Sequence, residues 1–263
     1  PEFERDVAVG LLDLRPFHED GRYMQQLTEH VWWHPPGPPD RPALCAVVGT
    51  RWTVMLDAGS SRRHTREALD GLPVRPRAVV LTHAHWDHVF GAVEIGGQVI
   101  AHAETAAELE RMRLRDWNDE TSVGEHLRAE LPAPRTVEIA PVGVVFRDRL
   151  DLDLGGVRVH VRHVVSDHCA DACIAYVGPD RLLFLGDALC ADKDVYTREK
   201  AFPLFELVLA YDAEIFVEGH HPAPTTRAEL EELVAKARAA ADGTVIAGDE
   251  DSEYFGRGFG PRG

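Results

Sequence analysis

The sequence predicts an α/β protein in which two β-sheets are sandwiched between helices. Three observations predict this. Short apolar, β-branched runs occur in both halves of the chain, and each half also carries helical periodicity. The 263 residues show no repeat and no interdomain linker, so a single domain over residues 1–263 is expected. Residues able to do chemistry stand directly after strands, at Asp57, at His83 to His88, at Asp187 and at His220. Such positions gather at one sheet edge, where strand ends meet loops.

The elements follow in order. Residues 1–3, Pro-Glu-Phe, lack a Met and read as a cloning scar. The Pro-rich "HPPGPPDRP" at 34–42 is a surface loop. "ALCAVVG" and "WTVMLDAG", separated by Thr50 and Arg51, predict a hairpin. "RAVVLTH" is a buried strand ending at a histidine cluster, and "GQVIAHAE" is a further short strand. Residues 105–131 are helical in period, charged and interrupted only by Gly124; the segment 105–134 is expected to form a helical flap, with Met112 and Trp117 touching substrate. "RTVEIAP", "GVVFRD", "RLDLDLGGVRVHVRHV" and "ACIAYVG" read as strands, and "RLLFLGDALC" and "AEIFVEGHH" as buried strands ending in Gly-Asp and Gly-His-His. "TTRAELEELVAKARAAA" is an amphipathic helix with Thr226 and Glu229 in capping-box spacing. The Gly-rich tail, 242–263, reads as a mobile or partner-bound end.

Composition narrows the function. With 44% hydrophobic and 27% charged residues the chain is ordinary globular protein. No apolar run approaches the roughly 18 residues of a spanning helix, and no leader pattern is visible, so a cytoplasmic protein without a membrane partner is expected. The net charge of −16, from 28 basic and 44 acidic residues, argues against a nucleic-acid or anionic-membrane partner. A small-molecule substrate fits instead, and an anionic one is not forbidden because a local cationic site overrides the global field. Cys45, Cys169, Cys173 and Cys190 lack the spacing of a disulfide scaffold or zinc knuckle; they read as buried thiols in a reducing compartment. Oligomeric state is not legible, and a homodimer is compatible with the sequence.

"LTHAHWDHVFG" carries the sharpest signal. His83 and His85 are two apart in an extended loop, so both imidazoles can turn to one side; Asp87 and His88 follow where a helix would start. Histidine supplies only 14 of 263 residues, so three in six with an interleaved Asp point to a metal site. Imidazole with carboxylate suits zinc or another borderline transition metal.

"HAHWDH" resembles the His-x-His-x-Asp-His signature of the metallo-β-lactamase fold superfamily, and the family's other motifs follow in order between residues 43 and 221. "VMLDAG" resembles its strand-terminal Asp-x-Gly, "SDHCADACIAY" its third-motif histidine segment, "LFLGDAL" its Gly-Asp and "FVEGHH" its terminal Gly-His. The resemblance implies a four-layer αββα sandwich of two mixed β-sheets flanked by helices. It implies two Zn2+ ions, one on His83, His85 and His168, the other on Asp87, His88 and His220, with Asp187 bridging. Two divalent cations against two carboxylates and five neutral imidazoles leave a positive site, which suits anionic or carbonyl-bearing substrates. A bridging hydroxide formed at neutral pH would hydrolyse an ester, lactone, thioester or related bond, with Asp87 as proton acceptor.

Neighbouring residues are weighed against these. Asp57 is expected to orient a ligand histidine by a hydrogen bond, or to cap its turn. His163 and His221 rival His168 and His220, and the motif register favours the latter two. Cys169 and Cys190 flank the ligands as small packing residues, His102 sits in a strand-end loop, and Tyr196 is a candidate acid or orienting phenol. Where many members have Thr-Pro-Gly-Ser, this chain has Cys169-Ala170-Asp171-Ala172, which reshapes the loop under the metal. Asp187 at the bridging position disfavours a true β-lactamase. The competing reading is a persulfide dioxygenase of the same fold, with one Fe2+ on His83, His168 and Asp187.

Overall fold

Alternation of side chains along the strands builds the architecture. In the computed structural model, which describes residues 24–259, β1 (Gln25–Gln26), β2 (Val31–His34), β3 (Leu44–Val48), β4 (Thr53–Leu56), β5 (Ala78–Val80), β6 (Gln98–His102) and β7 (Val142–Phe146) form one sheet in that spatial order. Pairing is antiparallel from β1 to β4 and parallel from β4 to β7. The second sheet contains β8 (Arg149–Asp153), β9 (Arg158–His163), β10 (Cys173–Val177), β11 (Leu182–Gly186), β12 (Ile215–Glu218) and β13 (Thr225–Thr226), ordered β13-β12-β11-β10-β9-β8. Only β11 and β12 pair in parallel there.

The two faces of each strand enter different cores. On β3, Cys45 and Val47 point between the sheets while Leu44 and Ala46 point outward; on β11, Leu182 and Phe184 point between the sheets and Leu183 and Leu185 outward. A period of two with both faces buried is what sheets covered on both sides require. Outside the first sheet lie α1 (Arg62–Asp70), α2 (Trp86–Val89), α3 (Ala92–Ile95), α4 (Ala103–Arg113) and α5 (Glu125–Glu130). Outside the second lie α6 (Arg198–Leu209), α7 (Arg227–Ala241) and α8 (Glu250–Gly258). Three apolar cores thus separate four layers, the αββα sandwich expected from the sequence. No helix among the described residues is long and apolar enough to cross a membrane.

The expected hairpin is β3 and β4, and the capping box at Thr226 and Glu229 opens α7. Four expectations are corrected or cut short. "RTVEIAP" forms no strand: Val137, Ile139 and Ala140 pack on the outer helical layer, so burial without a partner strand accounts for their apolar character. Residues 105–131 do not form one helix broken only at Gly124. The chain leaves helix after Arg113, and the carboxylates of Asp116 and Asp119 accept from the backbone N–H groups of Asn118 and Thr121, two Asx turns that compete with helical bonds. Part of the tail, Glu250–Gly258, is a docked helix. Asp249 caps α8 by accepting from Ser252 N at 2.9 Å, and buried Phe255 sits among Tyr196, Phe205 and Phe259. Two of its glycines serve close approach, since a Cβ on Gly258 would press on the Tyr196 ring and one on Gly256 on Val245. Residues 1–3, with their expected scar, and 260–263 lie outside the described residues.

Beneath the first sheet's helices, His34 and His64 bring buried rings to 5.3 Å. His34 Nδ1–H donates to Pro35 O at 3.0 Å, whereas His64 Nδ1 accepts from Ser60 N at 3.2 Å. Burial is the main cause holding both imidazoles below their ordinary value, His64 far below.

Two outcomes follow. Truncating Phe255→Ala removes a ring from the third core and should cost about 3–5 kcal/mol, read by urea denaturation. Because His34 and His64 bind protons more readily when unfolded, acidification through and below their ordinary value of 6.5 lowers stability. The loss between pH 7.5 and 5 should be smaller in the double variant His34→Gln, His64→Gln; an unchanged loss would show that this pair does not carry it.

Candidate metal centre

The centre forms where parallel strands end. β4 ends in Asp57, β5 leads through Leu81 into Thr82 and His83, β11 into Asp187, and β12 through Gly219 into His220. The two sheets are pinned together here by Cys173 N donating to Thr82 O at 2.9 Å and Ala43 N donating to Gly219 O at 2.6 Å. His168 comes from the loop after β9, where its N–H donates to Ser166 Oγ at 2.9 Å and Ser166 Oγ–H donates to Ala188 O at 2.7 Å.

Two donor sets result. His83, His85, His168 and Asp187 form one, and Asp87, His88, Asp187 and His220 the other; the donor atoms of each lie within 4.8 Å of one another. Asp187 Oδ2 belongs to both, 3.2 Å from His88 Nε2 and 3.5 Å from both His168 Nε2 and His220 Nε2. The structure therefore brings together all seven residues that the motifs singled out. Glycine makes room for it: a Cβ at Gly219 would overlap Asp187 Oδ1, and Gly186, at φ 51°, would carry a Cβ 2.7 Å from Thr82 Oγ1.

Asp57 orients the second set. Fully buried and held at φ 60°, it accepts from Thr82 N at 2.7 Å, Thr82 Oγ1 at 2.8 Å and His88 Nδ1–H at 2.7 Å. A non-glycine residue in that backbone region marks strain held by its surroundings. With Thr82 Oγ1–H committed to Asp57, His83 Nδ1–H donates to Thr82 Oγ1 at 3.0 Å. Both hydrogen bonds fix tautomers that leave the Nε2 lone pairs of His83 and His88 facing the centre.

Those lone pairs could hold a cation. His168 Nε2 lies 3.2 Å from His83 Nε2 and 2.9 Å from His85 Nδ1, and one shared proton cannot satisfy three converging nitrogens. Asp187 Oδ1 is buried without a hydrogen-bond partner. Burial is the largest influence on His83, His88, His168 and His220 alike. It takes His83 well below the ordinary range and His168 down to about 4, so both are neutral. At His88 and His220 burial is overcome by carboxylates. Asp187, Asp87 and Asp57 hold His88 well above 6.5, and Asp187 with Asp87 raises His220 to about 10. Burial also opposes charge on Asp87 and Asp187, but His88 and His220 hold both carboxyls below the usual range. Two ionised carboxylates and converging nitrogens fit metal ions, which would displace the protons from His88 and His220.

Other residues fall outside the sets. His163 stacks on His102 at 4.1 Å and donates from Nε2 to Ala170 O at 2.8 Å, while His102 Nδ1 caps α4 by accepting from Glu104 N. His221 Nδ1–H donates to Ala223 O at 2.6 Å. Asp171, in the segment that departs from the family pattern, accepts from Thr105 Oγ1 at 2.8 Å and so ties the loop to α4. Cys45 and Cys173 are buried free thiols; Cys169 and Cys190 are half-buried, and Cys190 lines the metal cavity.

Tyr196 lies apart from the donor sets. Its hydroxyl donates to Leu189 O at 3.0 Å within the third core, and it does not line the cavity over the donor sets. Tyr254, from α8, lines that 860 Å³ cavity instead, with His126 and Asp40. The sequence reading also missed Asp40, whose Oδ1 lies 3.5 Å from His220 Nδ1; a lone acid inside a Pro-rich loop was its only signal. Thr82, inside the quoted motif, was passed over because no spacing rule reveals a hydroxyl wedged between two ligand supports.

Replacing Asp57 by Asn keeps size but weakens acceptance from His88 Nδ1–H. We expect metal affinity to fall about 10–100-fold, measured by competition with a chromophoric chelator, with cooperative unfolding retained.

Comparison with known proteins agrees with this geometry. The family model described as the metallo-beta-lactamase superfamily matches residues 38–246. Among curated proteins, none matches the chain. A metallo-beta-lactamase from Pontibacter korlensis superposes with TM-score 0.59 at 20% identity, covering 81% of this chain and 96% of that one. A metallo-beta-lactamase family protein from Thermus thermophilus gives 0.59 at 22% identity, covering 83% and 82%. The sec-alkylsulfatase Pisa1 from Pseudomonas sp. gives 0.58 at 15% identity; the match covers 89% of this chain but only 47% of the sulfatase. With a family model matched over most of its length and its His/Asp donor sets at the sheet edge, the chain belongs to the metallo-beta-lactamase superfamily, generally metal-dependent hydrolases.

Proposed function

We propose that the chain is a dinuclear zinc hydrolase acting on an ester, lactone or thioester bond of a small molecule. The observation that carries this reading is the sharing of Asp187 between two donor sets, with its Oδ2 close to His88, His168 and His220. A mononuclear iron centre on His83, His168 and Asp187 would leave Asp87, His88 and His220 outside the metal's own ligands.

When bound, the ions supply Lewis acidity and bring the pKa of water from 15.7 to about 7. The chain's own groups do the rest. His83, His85 and His168 would hold one ion, and Asp87, His88 and His220 the other, with Asp187 shared between them. Asp87 Oδ2, 3.1 Å from His220 Nε2 and 3.4 Å from His88 Nε2, is the ionised group placed to receive a proton during attack on the substrate carbonyl. Asp57 and Thr82 keep His88 and His83 from rotating. Asp40 backs His220, and Trp86 and His126 wall the approach. No serine or cysteine nucleophile is needed.

Elemental mass spectrometry on protein purified without chelator or added metal tests the reading: about two zinc per chain is expected, and about one iron would overturn it. Asp87→Ala should remove a proton acceptor and a donor together, lowering kcat at least about 100-fold on any ester or lactone substrate that the wild type turns over.

A further inference from the structure

A second cavity of 490 Å³ opens beside the metal cavity, and the two share Asp40, His85, Trp86 and His126. Its far wall is built by α4, α5 and the turns between them, the segment expected from sequence to form a flap. Met112, Trp117, Val123 and Leu127 are each at least nine-tenths buried and turn one edge into this space. Trp117 offers only carbon, because its Nε1–H is already donated to Met112 O at 3.1 Å and its ring packs on Phe90 at 4.8 Å.

The charges around this apolar floor have a sign. Four carboxylates, from Asp40, Glu104, Glu108 and Asp171, line it against two guanidinium groups, from Arg111 and Arg115. Arg111 donates from Nε to Glu108 Oε2 at 2.6 Å, which neutralises it. The Arg115 guanidinium lies over the Trp117 ring at 4.4 Å and donates to Ser122 O. An anionic group entering here would meet more negative charge than positive, within a chain of net charge −16.

We infer that this side cavity binds the part of the substrate that does not react, and that this part is an uncharged medium-chain acyl or aryl group. The inference rests on the reading of the donor sets as a zinc centre. Substrate polarity is thereby divided: the bond to be cleaved lies over the cationic metals, and the apolar chain extends past Trp86 onto Met112, Trp117 and Leu127. A cavity of this volume is in the range of small-molecule sites, far larger than an acetyl group fills. The sequence expectation of an anionic substrate is thus confined to the reacting end.

Gly124 provides a variant that spares the fold. It lines the cavity with φ −72° and ψ 166°, a backbone open to any residue, and a Cβ there meets nothing within 4 Å. A side chain at this position starts from a Cβ that meets no neighbour, and phenylalanine brings a bulky ring to the cavity lining. Isothermal titration calorimetry on the zinc-loaded protein, with three hydroxamic acids that chelate zinc through the same head group, reads binding independently of turnover. Hexanohydroxamic acid should bind at least about tenfold more tightly than acetohydroxamic acid, as burial of its extra methylenes requires. Adipic acid monohydroxamate, matched in length but ending in a carboxylate, should lose that gain. Gly124→Phe should abolish the gain for the hexanoyl ligand and leave acetohydroxamic acid unchanged. Equal affinities for the two neutral ligands, or tighter binding of the carboxylate-ended one, would overturn the cavity assignment alone. Failure of acetohydroxamic acid to bind the wild type would overturn the metal reading and the inference with it.

Discussion

The buried carboxylate of Asp57 is the constraint on which the rest of the centre depends. It stands at the end of β4, in a backbone conformation that a residue with a side chain seldom adopts, and gathers three donors from the chain that leaves β5. Without it, the N–H of Thr82, the hydroxyl of Thr82 and the Nδ1–H of His88 would be buried without an acceptor, each costing on the order of 1–3 kcal/mol. With it, one turn of chain holds two imidazoles with their Nε2 atoms forward. Thr82 then reaches across to the second sheet through its carbonyl oxygen and Cys173 N, so the same residue sets the ligands and the relation between the layers.

This arrangement concentrates like with like. Three imidazole nitrogens face one another, and the other two face carboxylate oxygens whose proton affinity they suppress. Such a cluster is stable in a folded chain only with positive charge at its centre, whether protons on His88 and His220 or metal ions in their place. Folding energy from three apolar cores holds the donors together against their mutual repulsion. Preorganisation of this kind is how a protein makes metal affinity and reactive geometry a single property.

Around the centre, the surface divides into two spaces with different chemistry. The cavity over the donor sets is lined by Asp87, His168, Asp187 and His220 and rimmed by the residues of loop 190–194, whereas the side cavity has an apolar floor and an acidic rim. The boundary between them includes His85 and Trp86, two adjacent residues of the motif itself, with Asp40 and His126. The identity of the residue between His85 and Asp87 therefore bears on which substrates fit as well as on how α2 begins.

Much of this was legible in the sequence. Strand cores alternate in apolar character because each face meets a different layer, and the donor residues betray themselves by clustering after strands: "HAHWDH" alone names four of seven. Helix α7 announces its start with Thr226 and Glu229. The sequence could not show which apolar runs find a strand partner, so Val137 and Ile139 carry a strand pattern although they pack on the first core without joining a strand. It could not show that the glycines of the tail permit close packing on Tyr196 and Val245, nor that Asp116 and Asp119 would break a helical pattern through their own backbone bonds. Chemistry written in residue type and local spacing was determined by the sequence itself. Tyr254 in the cavity instead of Tyr196, Asp40 beside His220, and an acidic, apolar-floored pocket against His85 were decided only by tertiary structure, because each joins residues far apart in the chain whose proximity no local pattern encodes.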